Sequence, residues 1–337
     1  MDHRSNAVRV AGALAALLLA SACSDSASNP VAPVSPSASV GSLIGQQEVL
    51  SHAVIFRTVN GHANAQAAGF AASTGNNLYY HGGVGGIGVE TAPKVYVVFW
   101  GSQWNSNDPS GEAAIVQNFM NGVGGSKWLN SVTQYCQGVS SGTVSCGSSG
   151  THAGNPSHIL IGVWYDNGSA AASHPTQSQL AAEAVKAAGH FRNTTSASNT
   201  STQYIIATAT GHSASGFGTQ YCAYHSSTSS SYGNVAYTNF PYMTDAGSSC
   251  GANFNGLGAK AGITIVGGHE LGETMSDQFP NGGWLDSSGA ENGDKCAWIS
   301  SGQGASANVA FSTGTFPVQS LWSNAFNSGA GGCVLSY

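Results

Sequence analysis

Ala261-Gly262-Ile263-Thr264-Ile265-Val266-Gly267-Gly268-His269-Glu270-Leu271-Gly272-Glu273 runs without a break from an apolar segment into a histidine and two acids. An apolar run of this length that keeps going through its polar residues reads as a buried helix, predicted here over about Leu257 to Asp277. At ~100° per residue, His269 and Glu273 lie within about 40° of one another on one face, while Leu271 and Met275 turn the other way into a core. Glu270 sits about 100° round from His269. The pattern follows the logic of the His-Glu-x-x-His zinc helix, in which two side chains one turn apart hold the metal and the Glu between them activates water. Here a Glu occupies the second His position.

The charge distribution points to the same place. Only 7% of the 337 residues are charged, yet positions 269–294 hold three of the seven Glu and three of the eight Asp. Acids this scarce and this concentrated serve a site rather than solubility. A metal held by His269 and Glu273 needs a further ligand from beyond the helix. Glu291, in Gly289-Ala290-Glu291-Asn292-Gly293-Asp294-Lys295-Cys296, is the expected third ligand, because the chain there follows a turn and Cys296 can pin its return. Asp294 is the second choice, with a turn cap paired to Lys295 as its ordinary alternative. Asp277 lies ~12 Å along the helix from His269 and is expected at the helix end or in the outer shell. A site with one imidazole among carboxylates is unusual for zinc, and His225 is the better candidate for a second imidazole, His212 lying in a loop. The reading is of a zinc site, another divalent cation being the alternative. Ser-based catalysis is disfavoured, since no Gly-x-Ser-x-Gly follows a strand.

Three runs define a sheet: Lys94 to Trp100, apolar on both alternations and hence central, His158 to Trp164, and Tyr204 to Ala209. Helices are expected over Glu112 to Met120, Lys127 to Tyr135 and Thr176 to Phe191. Gln220 to His225 and Val235 to Tyr242 read as short edge strands. Strand alternating with helix implies an α/β (α+β) domain, a mixed sheet with backing helices and a zincin-like site helix, in one unit over residues 76–337.

The first 22 residues, with Arg4, Arg9 and the apolar Val10 to Ala20, form a signal peptide, too short in its core for a membrane span. Ala20-Ser21-Ala22-Cys23 resembles a lipoprotein processing site, with Cys23 the lipidated residue and ordinary cleavage after Ala22 the alternative. Residues 23–75 are expected as a lipid-anchored flexible tether or pro-segment, with the apolar patch Val54-Ile55-Phe56 in a stretch that also suits a packed arm. The protein is therefore read as extracytoplasmic, secreted or anchored to a bacterial envelope through its lipid. The six remaining cysteines are an even set in an exported chain, and sequence proximity favours Cys136–Cys146, Cys222–Cys250 and Cys296–Cys333. No Cys-x-x-Cys pair favours a zinc ribbon. With nine Lys and Arg spread thinly and a formal net charge of −6, nucleic acid is excluded as a partner.

Tyr80-His81-Gly82-Gly83, Val95 to Trp100 with Gly101-Ser102-Gln103-Trp104, Tyr221-Cys222-Ala223-Tyr224-His225, Val266 to Glu273, Trp284, Glu291 to Cys296 and Val318 to Asn324 occur in an order that resembles the exordium-like, phosphate-induced proteins. The resemblance spans about residues 79–333 and is most specific in the Gly-His-Glu-Leu-x-Glu and Glu-x-Gly-Asp-x-Cys segments. It implies a secreted protein and the shared His, Glu and Asp set, and names no substrate. Two functions are therefore expected: a metal-dependent hydrolase, most plausibly a zinc metallopeptidase with Glu270 as general base and a peptide or protein substrate, or a non-enzymatic extracellular binding or signalling protein.

Overall fold

Lys94–Trp100 is the strand from which the architecture grows. In a computed structural model that describes residues 54–61 and 77–337, it lies inside a six-stranded mixed sheet with every residue from Val95 to Phe99 buried. The strands are β1 (Val54–Arg57), β2 (Lys94–Trp100), β3 (Leu160–Asp166), β4 (Thr202–Thr208), β5 (Tyr221–Ser230) and β6 (Gly233–Phe240), in the spatial order β1-β5-β6-β4-β2-β3. β6, β4, β2 and β3 run parallel, and β5 and β1 are added antiparallel. Three helices cover the faces: α1 (Glu112–Val123), α2 (Gln177–His190) and α3 (Ala261–Ser276).

The two sides of β2 fill two cores. Val95, Val97 and Phe99 pack with Val116 and Phe119 of α1 and Ile263, Ile265 and Val266 of α3. Tyr96 and Val98 pack with Leu180, Ala184 and Ala187 of α2, which starts with a capping box between Thr176 and Gln179. All sixteen residues of α3 are buried, so it has no solvent face, as the unbroken apolar run implied. Its glycines permit that depth: a Cβ on Gly268 would come 3.1 Å from Trp128, and one on Gly272 would come 2.9 Å from Leu321. Each Gly costs a helix roughly 1 kcal/mol relative to Ala, and close approach of neighbouring elements offsets it.

Three expectations need correction, and one open alternative is decided. α3 begins at Ala261 rather than near Leu257, because Asn253, Asn255, Gly256 and Gly258 adopt positive φ and interrupt any helix. Lys127 to Tyr135 contains only a 3₁₀ turn over Leu129–Gln134, where Ser131, Thr133 and Gln134 side chains bond carbonyls three residues back and keep it tight. β5 and β6 are interior strands, because β1 takes the edge that they were expected to hold. Of the alternatives for the stretch around Val54-Ile55-Phe56, residues 54–57 take the packed arm, pairing with β5 in the register Val54 to His225, Ile55 to Tyr224 and Phe56 to Ala223. The expected signal peptide 1–22, Cys23 and the rest of the tether lie outside the described residues.

Cys136–Cys146, Cys222–Cys250 and Cys296–Cys333 are bonded, as sequence proximity suggested. Three disulfides belong to a chain that folds in an oxidising compartment. Among the described residues no helix is long and apolar enough to cross a membrane.

Candidate metal centre

His269, Glu270 and Glu273 come from the middle of α3, His225 from β5, and Glu291 and Asp294 from the loop that returns across α3. One helical turn brings His269 Nε2 to 3.0 Å from Glu273 Oε1. The other oxygen, Glu273 Oε2, lies 3.8 Å from His225 Nε2. His225 Nε2 is in turn 2.7 Å from Glu291 Oε2, and His269 Nε2 is 3.9 Å from Asp294 Oδ1. Two sets result, His225–Glu273–Glu291 and His269–Glu273–Asp294, each with its ligand atoms within 4.8 Å of one another. The expected trio of His269, Glu273 and Glu291 is thus divided. Glu273 stands between two groups, one completed by His225 and Glu291 and the other by Asp294.

The loop is built to reach this deeply. Asp286 accepts from the Ser288 and Ala290 amides at 2.8 and 3.1 Å and pairs with Lys295 at 2.8 Å, so Lys295 belongs to Asp286 and not to Asp294. Lys295 also lies over the Trp322 ring, 4.4 Å from its centre. Asn292 donates to the Gly272 carbonyl at 2.8 Å and to Ser276 Oγ at 2.5 Å, clamping the loop to α3. Gly293 then passes so close that a Cβ there would sit 2.7 Å from His269 Nδ1 and 2.9 Å from Glu273 Oε1. The next amide, that of Asp294, donates to Glu273 Oε1 at 2.9 Å. Asp277, at the end of α3, accepts from the amides of Asn281, Gly282 and Gly283 at 2.7, 3.1 and 2.6 Å and interacts with the Glu291 carboxyl. It supports Glu291 from outside and belongs to neither set, in keeping with its expected outer position.

Gln319, Phe56 and Gly293 were not singled out from the sequence. Gln319 donates to the Gly293 carbonyl at 2.8 Å, which turns its own oxygen toward His269 Nδ1 at 3.3 Å. That places the His269 proton on Nδ1 and leaves Nε2 a bare lone pair facing Glu273 and Asp294. Phe56 of β1 stacks on the His269 ring, with centres 3.6 Å apart and planes at 11°. No sequence signal marks Gln319 or Gly293 beyond lying in segments quoted for the family resemblance or beside an acid. The signal for Phe56 was its apolar patch alone. His212 lies elsewhere, bonded to the Thr210 carbonyl and Gln103.

Burial dominates the electrostatics. It lowers the imidazole of His225 to about 3, helped by the charge of His269, and that of His269 to about 4 against the pull of Asp294 and Gln319. Both rings are neutral at pH 7, the state in which imidazole binds metal. Burial, with the neighbouring acids, raises Glu273 to about 8 and Glu270 and Glu291 well above the carboxylate range. Asp294, whose side chain keeps 25% of its surface exposed, rises to about 7 through burial and the Glu273 charge. Without a cation these acids keep protons that a cation would displace.

The donor set fits a divalent cation. Six of the fifteen buried side-chain atoms that lack a hydrogen-bond partner among the described residues belong here: His225 Nδ1, His269 Nε2, both oxygens of Glu270, Glu273 Oε2 and Glu291 Oε1. Unpaired buried polar atoms are costly, and a positive ion in either set would satisfy acceptors among them, those of His269 and Glu273 in one and of Glu273 and Glu291 in the other; Glu270 belongs to neither set. Nitrogen and oxygen donors do not by themselves select one metal.

Comparison of the chain with protein-family models, with curated proteins and with solved structures returns no match.

Proposed function

We propose that this protein is an exported metal-dependent hydrolase, a zinc peptidase with Glu273 as the central ligand. The observation that carries the reading is the bare Nε2 of His269 facing Glu273 Oε1 at 3.0 Å, with Glu273 Oε2, Glu291 Oε1 and both Glu270 oxygens unpaired and buried. Each set offers one imidazole among carboxylates, a nitrogen donor that calcium and magnesium sites seldom use, and zinc is the ion proposed, with another divalent cation the alternative. His269, Glu273 and Asp294, or His225, Glu273 and Glu291, would hold the ion, which supplies Lewis acidity to a substrate carbonyl and to attacking water. Glu270, next to His269 in the chain and in the field of Glu273 and Asp294, would serve as the general base, accepting a proton from the attacking water and returning it to the leaving amine. The carboxylate-rich shell puts more negative charge on the ion than a His-rich one, which favours a weaker Lewis acid. Kinship with the exordium-like proteins, export behind residues 1–22 and a lipid at Cys23 belong to the same proposal.

Metal analysis of purified protein, beside Glu270→Gln and His269→Ala variants tested on a mixed peptide library, decides it. The expected pattern is stoichiometric metal in the wild type and in Glu270→Gln, metal lost in His269→Ala, and cleavage lost in both. A wild type with native disulfides that neither carries metal nor cleaves after zinc is added favours the second reading, an extracellular binding protein. The near-complete enclosure of His225, His269, Glu273 and Glu291 is the observation on that side.

A further inference from the structure

One part of the enclosure comes from β1, whose Phe56 ring covers His269. The placement of its four residues is that of a bound peptide. They pair antiparallel with β5 on the side that β6 does not use, and they make up the whole of the sheet beyond it. The register sets Phe56 opposite Ala223, two residues from His225 on the strand face that packs toward α3. The Phe56 ring is thereby sandwiched, 3.6 Å from the His269 ring and 4.9 Å from the Trp298 ring, each at 11°. Trp298 Nε1 donates to the Arg57 carbonyl at 2.9 Å, and the Arg57 charge acts on Asp294.

Most of these contacts are ones that any extended chain could make. Strand pairing and the Trp298 bond read backbone, and the slot between two flat rings reads only an aromatic side chain. The slot walls belong to α3 and to the segment after the Cys296 disulfide, and the opposite edge of β5 is held by β6. None of these depends on β1 for its own pairing. The pairing with β5 also slips register between Phe56 and Arg57, so the arm is short and imperfectly matched.

We infer that the outer edge of β5 is a binding strand for an extended peptide bearing an aromatic side chain, and that residues 54–57 are its built-in occupant, closing the metal centre until displaced. Such a peptide lies with its backbone along β5 and its aromatic ring against His269. The inference deepens the peptidase reading and rests on it for any chemistry after docking, while the docking itself stands without a metal. It also reconciles a site equipped for a cation with one that substrate cannot enter in this state.

The test uses the full chain and a fluorescently labelled peptide with the sequence of residues 52–59, read by anisotropy. Phe56→Ala should loosen the arm, seen as faster amide hydrogen exchange at 54–57, and should bind the peptide about tenfold or more tighter than wild type, since an occupied site discounts apparent affinity by the fraction open. Phe56→Trp, which keeps the stack, should exclude the peptide as the wild type does. A peptide with Ala in place of its Phe should lose the gain. The inference is overturned by a loosened arm without tighter binding, by an arm whose exchange is unchanged in Phe56→Ala, or by loss of the folded sheet in that variant, which would make the arm part of the core. Metal content of the same samples separates the two readings. Peptide capture without metal removes hydrolysis and keeps the docking strand, whereas metal and cleavage that are indifferent to the arm remove the docking strand and keep hydrolysis.

Discussion

Two groups of buried acids differ in what surrounds them. Glu112 of α1 is as deeply buried as Glu273 and is raised to the same level, about 8, mainly by burial. Its oxygens nevertheless accept the amides of Met243 and Thr244 at 2.7 and 3.4 Å, stitching α1 to the chain after β6. Asp277 and Asp286 are likewise occupied, by three amides and by a lysine with two amides. At the α3 centre the same residue types keep oxygens with no partner. Burial shifts both groups in the same direction, so a raised carboxyl does not identify a site. Unsatisfied lone pairs converging from separate elements do.

The largest test of that contrast is Glu273→Ala, which removes the residue common to both ligand sets. Metal affinity measured by equilibrium dialysis should fall by more than about 100-fold, since loss of an outer partner alone costs about 10–100-fold. Retained affinity would remove Glu273 from the centre. Glu112→Ala should do the reverse, lowering unfolding free energy in denaturant by about 1–3 kcal/mol, because the buried Met243 amide is left without its acceptor and the half-buried Thr244 amide adds little. Its metal content should not change.

A pH series on metal-free protein comes next. Glu273, Glu90 and Glu112 are each raised to about 8 in the fold, chiefly by burial, so between their unfolded value of 4.5 and pH 8 the native state binds more protons than the unfolded chain. Stability must then fall as pH rises. The two imidazoles work the opposite way only below their unfolded value of 6.5, being lowered to about 3 and 4. The clean window is therefore pH 6.5 to 8, where each such acid contributes about 1.4 kcal/mol per pH unit. Glu273→Gln should flatten the slope by about one proton's worth, and saturating zinc should flatten it further in the wild type, since each set holds two raised carboxyls. A slope of the opposite sign breaks the electrostatic account.

The smallest expected effect is that of Gly293→Ala. Its Cβ would press on His269 and Glu273 at 2.7 and 2.9 Å and push the loop outward, so metal affinity should drop about tenfold, within the range expected when a ligand's support is disturbed. A neutral result in the same dialysis assay would mean that the loop is not held against the ligands in solution.

Much of this was legible in the chain itself, for local reasons. The period of the α-helix sets His269 and Glu273 side by side whatever else the molecule does, and an apolar run with no polar face has to become an internal helix. β-branched and aromatic runs became β2 at its expected ends and β3 and β4 with ends displaced by one or two residues. The cysteine pairings followed from parity and proximity, since short separations make closure easiest. Tertiary structure alone decided the rest. That Glu273 is shared by two sets depends on where β5 and the 286–296 loop arrive, and no periodicity encodes such a meeting. The orientation of His269 depends on Gln319, fifty positions away, through an amide whose other end is already committed to Gly293. The place of Phe56 depends on a four-residue pairing with a strand more than 160 positions on, whose register puts the ring on the site face. Local propensity acts over one turn or one strand, whereas a ligand shell is a property of groups brought together by the packing of the whole core.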